Sequence, residues 1–415
     1  MSVNSSKGWI VTSAGVGINL ALGVLYAWSI FGKALTEELN WSATEASIPY
    51  TVAIAIFALM MVPAGRWQDK VGPRVVITVG GALTGLGMIL AGFSQSIFTL
   101  VLSFGVLAGT GIGLGYAAAT PAAVKWFPSH KKGLITGLVV SGFGLASVYI
   151  APLTNYLIKT FSLEQTFVYL GIGFFIVAIG LAQFIQNPPD GYKVPGVAPL
   201  STTTPISSGK LDFEWSEMVK TPQFILLWIM FAFASSAGLM IIGHLAKIAK
   251  IQAGIAWGFY LVALLAIFNA GGRIMAGIIS DKIGRTRTML LVFIIQAAVM
   301  ALFGSFSDQT SLAAGTAVVG FAYGACLSLF PSTTADFFGT KNLGVNYGLV
   351  FTAWGVGGVF GPIMAGKIAD ISNGDYTLAF QVAAVLCVIA AGLTFITKPP
   401  KTHEAIEPYV AKAKA

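Results

Sequence analysis

One arginine stands where its charge is costly. Arg273 interrupts an apolar stretch, with Leu261 to Gly272 before it and Ile274 to Ile279 after it. A guanidinium well inside a membrane span costs about 2.5–3.5 kcal/mol on insertion scales. A residue kept at that cost faces an aqueous cavity and binds an anion, or it snorkels to the interface, which lies about two turns away. Asn269, four residues earlier, falls on the same helical face and extends a polar stripe. Gly271 and Gly272 adjoin the arginine and would let another helix or a ligand approach. The planar fork matches a carboxylate through two parallel charge-assisted hydrogen bonds. No other clear charge falls mid-span, since Lys125 and Asp336 sit at helix ends.

The elements that must position this stripe follow from composition. Of the 415 residues, 56% are apolar and 10% are charged, against about 25% charged in soluble domains. Apolar runs span 9–35, 46–65, 75–94, 98–126, 134–158 and 165–186, then 222–247, 255–279, 287–306, 311–335, 345–369 and 376–397. Each is about the length that crosses a 30 Å hydrocarbon core. Only helices or closed barrels satisfy the backbone there, and the runs lack period-two alternation. The expectation is an all-α membrane protein of twelve transmembrane helices. The first run is too long for a secretory h-region and reads as a retained helix.

The formal charge of +8 reports topology rather than a nucleic-acid partner. Five Lys (Lys33, Lys159, Lys247, Lys250, Lys367) fall on one set of alternate loops, and all other Lys/Arg except Arg273 fall on the other set and the tails. The positive-inside bias then places both termini in the cytoplasm, with a bacterial inner membrane as the expected location. Cys326 and Cys387 read as small apolar packing residues, and no disulfide framework is implied.

The chain divides at 187–220, rich in Pro, Ser, Thr and charge (Pro188, Pro195, Pro199, Ser201 to Pro205). It reads as a cytoplasmic linker between a six-helix bundle at 1–186 and another at 221–400, with a tail at 401–415. Internal repetition agrees. Gly65-Arg-Trp-Gln-Asp69-Lys70-Val-Gly72-Pro-Arg74 recurs as Gly277-Ile-Ile-Ser-Asp281-Lys282-Ile-Gly284-Arg285. Gly133, Gly137, Leu138, Val139 and Gly144 likewise align with Gly344, Gly348, Leu349, Val350 and Gly355. Such repeats place a substrate site between the halves, near mid-membrane. Gly105, Gly109, Gly111, Gly113 and Gly115 give the fourth helix small-residue faces for close contact.

Asp69 and Asp281 close their helices on the cytoplasmic side. A carboxylate there can face the positive N-terminus of a helix in the opposite half, a contact worth roughly 0.3–2 kcal/mol. That is enough to hold one conformation without locking it, so Asp69, Arg74, Asp281 and Arg285 are candidate gating residues. The plainer reading makes them loop charges that set topology.

The twice-repeated loop resembles the signature of the major facilitator superfamily, and helix count, linker and repeat extend the resemblance over the whole chain. Tyr26-Ala-Trp28, Thr221-Pro-Gln-Phe224, Leu329-Phe-Pro-Ser332, Asp336-Phe-Phe-Gly339 and Asn346-Tyr-Gly348 are similar to the branch of oxalate:formate antiporters and animal monocarboxylate transporters. That branch implies an arginine at Arg273 that binds a carboxylate. It also supports Tyr26, Tyr116, Tyr323 and Phe351 as pocket walls, to which position alone adds Leu25, Leu145 and Leu327; for each, plain helix packing is the competing reading. Tyr116 and Tyr323 carry phenols that need a partner inside a span.

Departures from the branch narrow the substrate. Where its oxalate antiporters carry a second cation, this chain has Trp354. Where its animal members carry an acid one turn before the arginine, this chain has Asn269. The position of their first-helix lysine is Ile30. One fixed positive charge suits a monoanion, and the missing acid removes the animal-type proton relay. The expected activity is transport of small monocarboxylates such as lactate or pyruvate by a monomer, through alternating access around an Arg273 left unpaired until substrate arrives. The coupling ion is a symported proton or, alternatively, transport is carboxylate exchange. His244 is the only histidine within a span and could titrate near neutrality or simply pack. No cofactor is expected: His130, His244 and His403 are scattered, and no metal spacing, phosphate loop or nucleophile constellation argues for a membrane enzyme. A substrate-sensing receptor would need a signalling domain that is not evident.

Overall fold

The computed structural model describes residues 3–41, 43–189, 192, 212–255, 259–372 and 374–400. Most of the expected linker, the tail at 401–415 and His403 lie outside them. Among the described residues, twelve helices are long and apolar enough to cross a membrane. They are α1 (Ser6–Gly32), α2 (Ile48–Val71), α3 (Pro73–Ala91), α4 (Ile97–Val124), α5 (Lys132–Thr160) and α6 (Leu163–Ala182), then α7 (Pro222–Leu245), α8 (Tyr260–Ile283), α9 (Arg285–Phe303), α10 (Gln309–Phe338), α11 (Leu343–Ala369) and α12 (Thr377–Thr394). The chain is an all-α, multi-pass membrane protein.

Two boundaries matter for function. α2 and α8 run past their apolar stretches, so Asp69 and Asp281 ride on final helical turns instead of loops. Charge does not stop these helices; glycine does. Gly72 (φ 89°) and Gly284 (φ 94°) hold left-handed backbone between α2 and α3 and between α8 and α9, a region other residues rarely adopt. The face bearing these turns, rich in Lys and Arg, is here termed the basic face.

The two sixes meet along two seams, α2 against α11 and α5 against α8. Both are glycine contacts of one design. A Cβ on Gly65 would land on the Gly344 carbonyl, and one on Gly277 would land on that of Gly133. Backbones this close exchange dispersion contacts along the whole crossing, as small residues allow in membranes. Toward the opposite face the α2–α11 seam parts into an apolar crevice of about 820 Å³, lined by residues including Ala58, Leu59, Gly355, Val356 and Phe360. The basic face is the closed one.

The end of the expected linker is built into this closure. Asp212 Oδ1 accepts from the backbone N–H of Thr340 (3.1 Å) and Lys341 (3.0 Å). Phe213 is fully buried, and its carbonyl accepts from the side-chain amides of Asn342 and Asn346. A single helical turn, Trp215–Met218, then leads to α7.

Candidate functional site

Arg273 is fully buried, on the face of α8 that meets α5. Gly144 of α5 makes the room, since a Cβ there would stand 3.2 Å from the guanidinium Nε. Nε donates to Asn269 Oδ1 at 2.8 Å, one terminal nitrogen donates to the Val140 carbonyl of α5, and the other reaches the Tyr26 hydroxyl of α1 at 3.4 Å. The side chain does not snorkel. Nor is it unpaired, as the sequence suggested, because neutral acceptors from three helices hold it. Among the described residues no carboxylate pairs with it, so no neighbouring acid cancels its charge.

Tyr26, Phe57, Tyr116, Phe143, Leu327, Phe351 and Trp354 close around the guanidinium. Phe57 touches Tyr116, Phe351 and Trp354, with ring centroids 5.3–5.5 Å apart. The space left for the centre of a water molecule is about 10 Å³, about one water by that measure. A carboxylate enters only if these rings part. Trp354 stacks on Phe351 at 4.9 Å and donates its indole N–H to the Tyr323 hydroxyl at 2.8 Å. Tyr323 thus stands behind Trp354 rather than on the cavity.

The sequence-predicted residues sort as follows. Arg273, Tyr26, Tyr116, Leu327, Phe351 and Trp354 come together, with Asn269 and Tyr323 one contact behind. Leu25, buried in the 3₁₀ stretch Gly23–Ala27, and Leu145, half-buried on α5, are not brought to the cavity. Gly271 faces open space, and Gly272 abuts the Phe321 carbonyl of α10, a helix and not a ligand. His244 lies away from the cavity, its Nε2 3.0 Å from the Pro362 carbonyl and its Nδ1 3.3 Å from the Tyr376 hydroxyl. Sequence reasoning missed Phe57 and Phe143, because an aromatic residue inside an apolar run reads as packing. Only the polar Asn269, at the place corresponding to Phe57 in the second copy, could have drawn attention to that position.

At the basic face, Asp281 accepts from the N–H groups of Gly133 and Leu134 at the start of α5, both at 2.9 Å. Asp69 accepts from Gly344 (3.3 Å) and Val345 (3.0 Å) at the start of α11. Each carboxylate reaches the positive end of a helix in the other half. Arg285 braces the first contact, 2.7 Å from Asp281 and 2.7 Å from Asp336. Lys132 of α5 completes a crossing to Asp336 at 3.2 Å; in the sequence Asp336 reads only as a helix-end charge, and nothing singles out Lys132. Arg74 stays in its own half, donating to the Ile185 carbonyl at 3.3 Å, and the structure does not bring it to a seam. Burial pushes the Lys125 ammonium below its usual range, while Asp69 and Asp212 pull it back up.

The described geometry is that of two helical bundles around one buried cation, and comparison with known proteins decides the family. The Major Facilitator Superfamily model matches residues 13–302 and 247–414. The chain belongs to the Major Facilitator Superfamily. This superfamily member is 32% identical over 380 residues to the oxalate:formate antiporter of Oxalobacter formigenes, covering 90% of this chain and 87% of that one. It is 32% identical over 358 residues to the uncharacterized MFS-type transporter YhjX of Escherichia coli, covering 85% and 86%. To monocarboxylate transporter 13 of Bos taurus the identity is 26% over 400 residues, 94% of this chain and 89% of that one. The proton:xylose symporter XylE has the same fold, with a TM-score of 0.71 at 13% identity over 96% of this chain and 97% of that one. These are transporters, and the chain is a transporter of this superfamily rather than an enzyme.

Proposed function

We propose that this transporter carries small monocarboxylates of the lactate and pyruvate kind by proton-coupled symport. In this reading the bundles at 1–186 and 221–400, joined by 187–220, rock about the Arg273 site as a monomer. The basic face and both termini lie in the cytoplasm of a bacterial inner membrane. The observation that carries the substrate class is the fully buried Arg273, held by neutral acceptors, with no carboxylate beside it among the described residues. A guanidinium in a low-dielectric site gains most from an anion that fits its fork. The hydrogen-bonded Trp354–Tyr323 pair leaves no second cation for a dianion.

A bound carboxylate replaces Val140 and Tyr26 as partner of the terminal nitrogens, while Asn269 keeps Nε oriented. The organic part lies among Phe57, Tyr116, Phe351 and Trp354. Two contacts of about 0.3–2 kcal/mol each, at Asp69 and Asp281, hold the cytoplasmic side shut until substrate binding tips the balance. The test is uptake of labelled lactate into vesicles by Arg273→Gln. Loss of uptake in a variant that inserts normally is expected, and full uptake would overturn the reading.

Carboxylate exchange is the second reading, favoured by the likeness to an oxalate:formate antiporter. Uptake that needs a pH gradient but no internal carboxylate supports symport, and the reverse dependence supports exchange.

A further inference from the structure

Buried polar atoms without partners are uncommon, because each has lost its water and gained nothing in return. Among the described residues twelve side-chain atoms make no hydrogen bond of ordinary geometry, and four of them lie on the cytoplasmic side of the Arg273 cavity. They are Tyr347 Oη on α11, beside the Tyr116 hydroxyl, Thr120 Oγ1 on α4, and Gln68 Oε1 and Nε2 on α2. Their heights form a descending series. Tyr116 and Tyr347 flank Phe351, each with its ring 5.6 Å from it. Thr120 is one turn below Tyr116, and Gln68 lies against Gly344, beside the Asp69 contact.

The other seam has no such series. The residue corresponding to Gln68 there is Ser280, whose hydroxyl is satisfied by the Gly277 carbonyl and by Arg285. A row of unspent donors and acceptors on one side only is costly while the seam is dry, and it is repaid when water or an anion reaches it.

We propose that Tyr347, Thr120 and Gln68 line the route by which the carboxylate leaves Arg273 for the cytoplasm, between α2, α4 and α11. The inference rests on the transport reading above. Arg273 holds the anion at the α5–α8 seam, and parting of the α2–α11 seam exposes hydroxyl and amide groups that solvate it on the way out. Tyr347 takes the first handover, since its ring packs on Phe351, which lines the cavity.

The test uses right-side-out and inverted membrane vesicles with labelled lactate and the full-length variants Tyr347→Phe, Thr120→Val and the double. Each change removes one hydroxyl and leaves the shape. The half-saturation concentration on the cytoplasmic side is expected to rise about five- to tenfold in the double variant, the order that lost hydrogen bonds produce. The external value should stay within about twofold, which also reports that the protein is folded. A cytoplasmic value equal to wild type overturns the route, as does an equal rise on both sides. Should the double variant fail to insert, Tyr347→Phe alone is read in the same way. Full uptake by Arg273→Gln would instead remove the transport reading itself, so the two failures are distinct.

Discussion

Arg273 and Met61 occupy corresponding places on the two seams, and their backbones make the same contact. A Cβ on Gly137 would strike the Arg273 carbonyl, and one on Gly348 would strike that of Met61. The pair one turn earlier corresponds as well, Asn269 on α8 and Phe57 on α2. One seam is therefore polar at mid-membrane and the other aromatic, on a shared frame.

Asn269→Asp should turn this arrangement against itself. The new carboxylate would stand where Oδ1 now lies, 2.8 Å from Nε, and neutralise the guanidinium internally. At a pH where the new carboxylate is ionised, monocarboxylate uptake should fall by more than about tenfold, because an opposite charge this close is worth well over 1.4 kcal/mol in a buried site. Lowering the pH should restore it, by the proton relay that the acid of the animal branch at this place implies. Thermal stability in detergent should be equal or higher. Retained uptake would show that the free charge of Arg273 is dispensable.

The two carboxylate contacts proposed to hold the basic face shut can be weakened one at a time. Asp281→Asn keeps one acceptor oxygen for Gly133 or Leu134, turns an amide donor toward the other N–H, and removes the charge that favours the helix end. A loss of about 1 kcal/mol opens the basic face about fivefold more often. A cysteine replacing the buried Ser328, whose hydroxyl is 3.5 Å from the Gly133 carbonyl, should react correspondingly faster with a thiol reagent. Asp69→Asn should act likewise, and the double variant more strongly.

Two neighbouring glycines should respond in opposite ways. Gly277→Ala places a methyl on the Gly133 carbonyl, whereas nothing lies within 4 Å of a Cβ on Gly271. Forcing α5 and α8 apart costs about 1–3 kcal/mol and separates Arg273 from Val140, so uptake by Gly277→Ala should drop severalfold or more. Gly271→Ala should transport like wild type and be slightly more stable, as expected for Gly to Ala in a helix. Uptake assays and melting curves on the two variants check both.

Trp354→Lys should shift selectivity toward dianions. The substitution removes the bond to Tyr323 and the stack on Phe351, at a cost of about 3–5 kcal/mol for losing a buried Trp, so the variant should melt earlier. In its place stands a second cation facing Arg273 across the cavity. Competition by oxalate against labelled substrate should rise while lactate affinity falls, and an unchanged inhibition panel would show that Trp354 does not set charge selectivity.

The fold was legible because lipid leaves the chain few options. Apolar length fixed the helices, and two copies of one glycine- and aspartate-bearing segment pointed to a contact with the opposite half without saying which helices meet there. Arg273 was legible for the same reason, since a charge in an apolar run needs an explanation. The aromatic walls were not. Phe57 and Phe143 differ from any packing phenylalanine only in what crosses from the other half, and no period in the sequence reports that. Leu25 and Leu145 are named from the central position of their helices, and neither lines the cavity around Arg273, because helix position alone does not say which face a side chain takes. The acceptor from Val140 is a backbone carbonyl, to which side-chain identity is blind. The lateral pair Lys132–Asp336 was hidden because each partner, taken alone, looks like an interfacial charge.

The mid-membrane difference between the seams also bears on how such carriers diverge. In the proposed reading the anchor for the carboxylate belongs to α5 and α8, while the rings that would meet the rest of the molecule come largely from α2 and α11. Mutations along the aromatic side can lengthen, shorten or reshape the accepted cargo without disturbing the ionic grip. A lineage built on this plan is free to change its diet one residue at a time while keeping its appetite for acids.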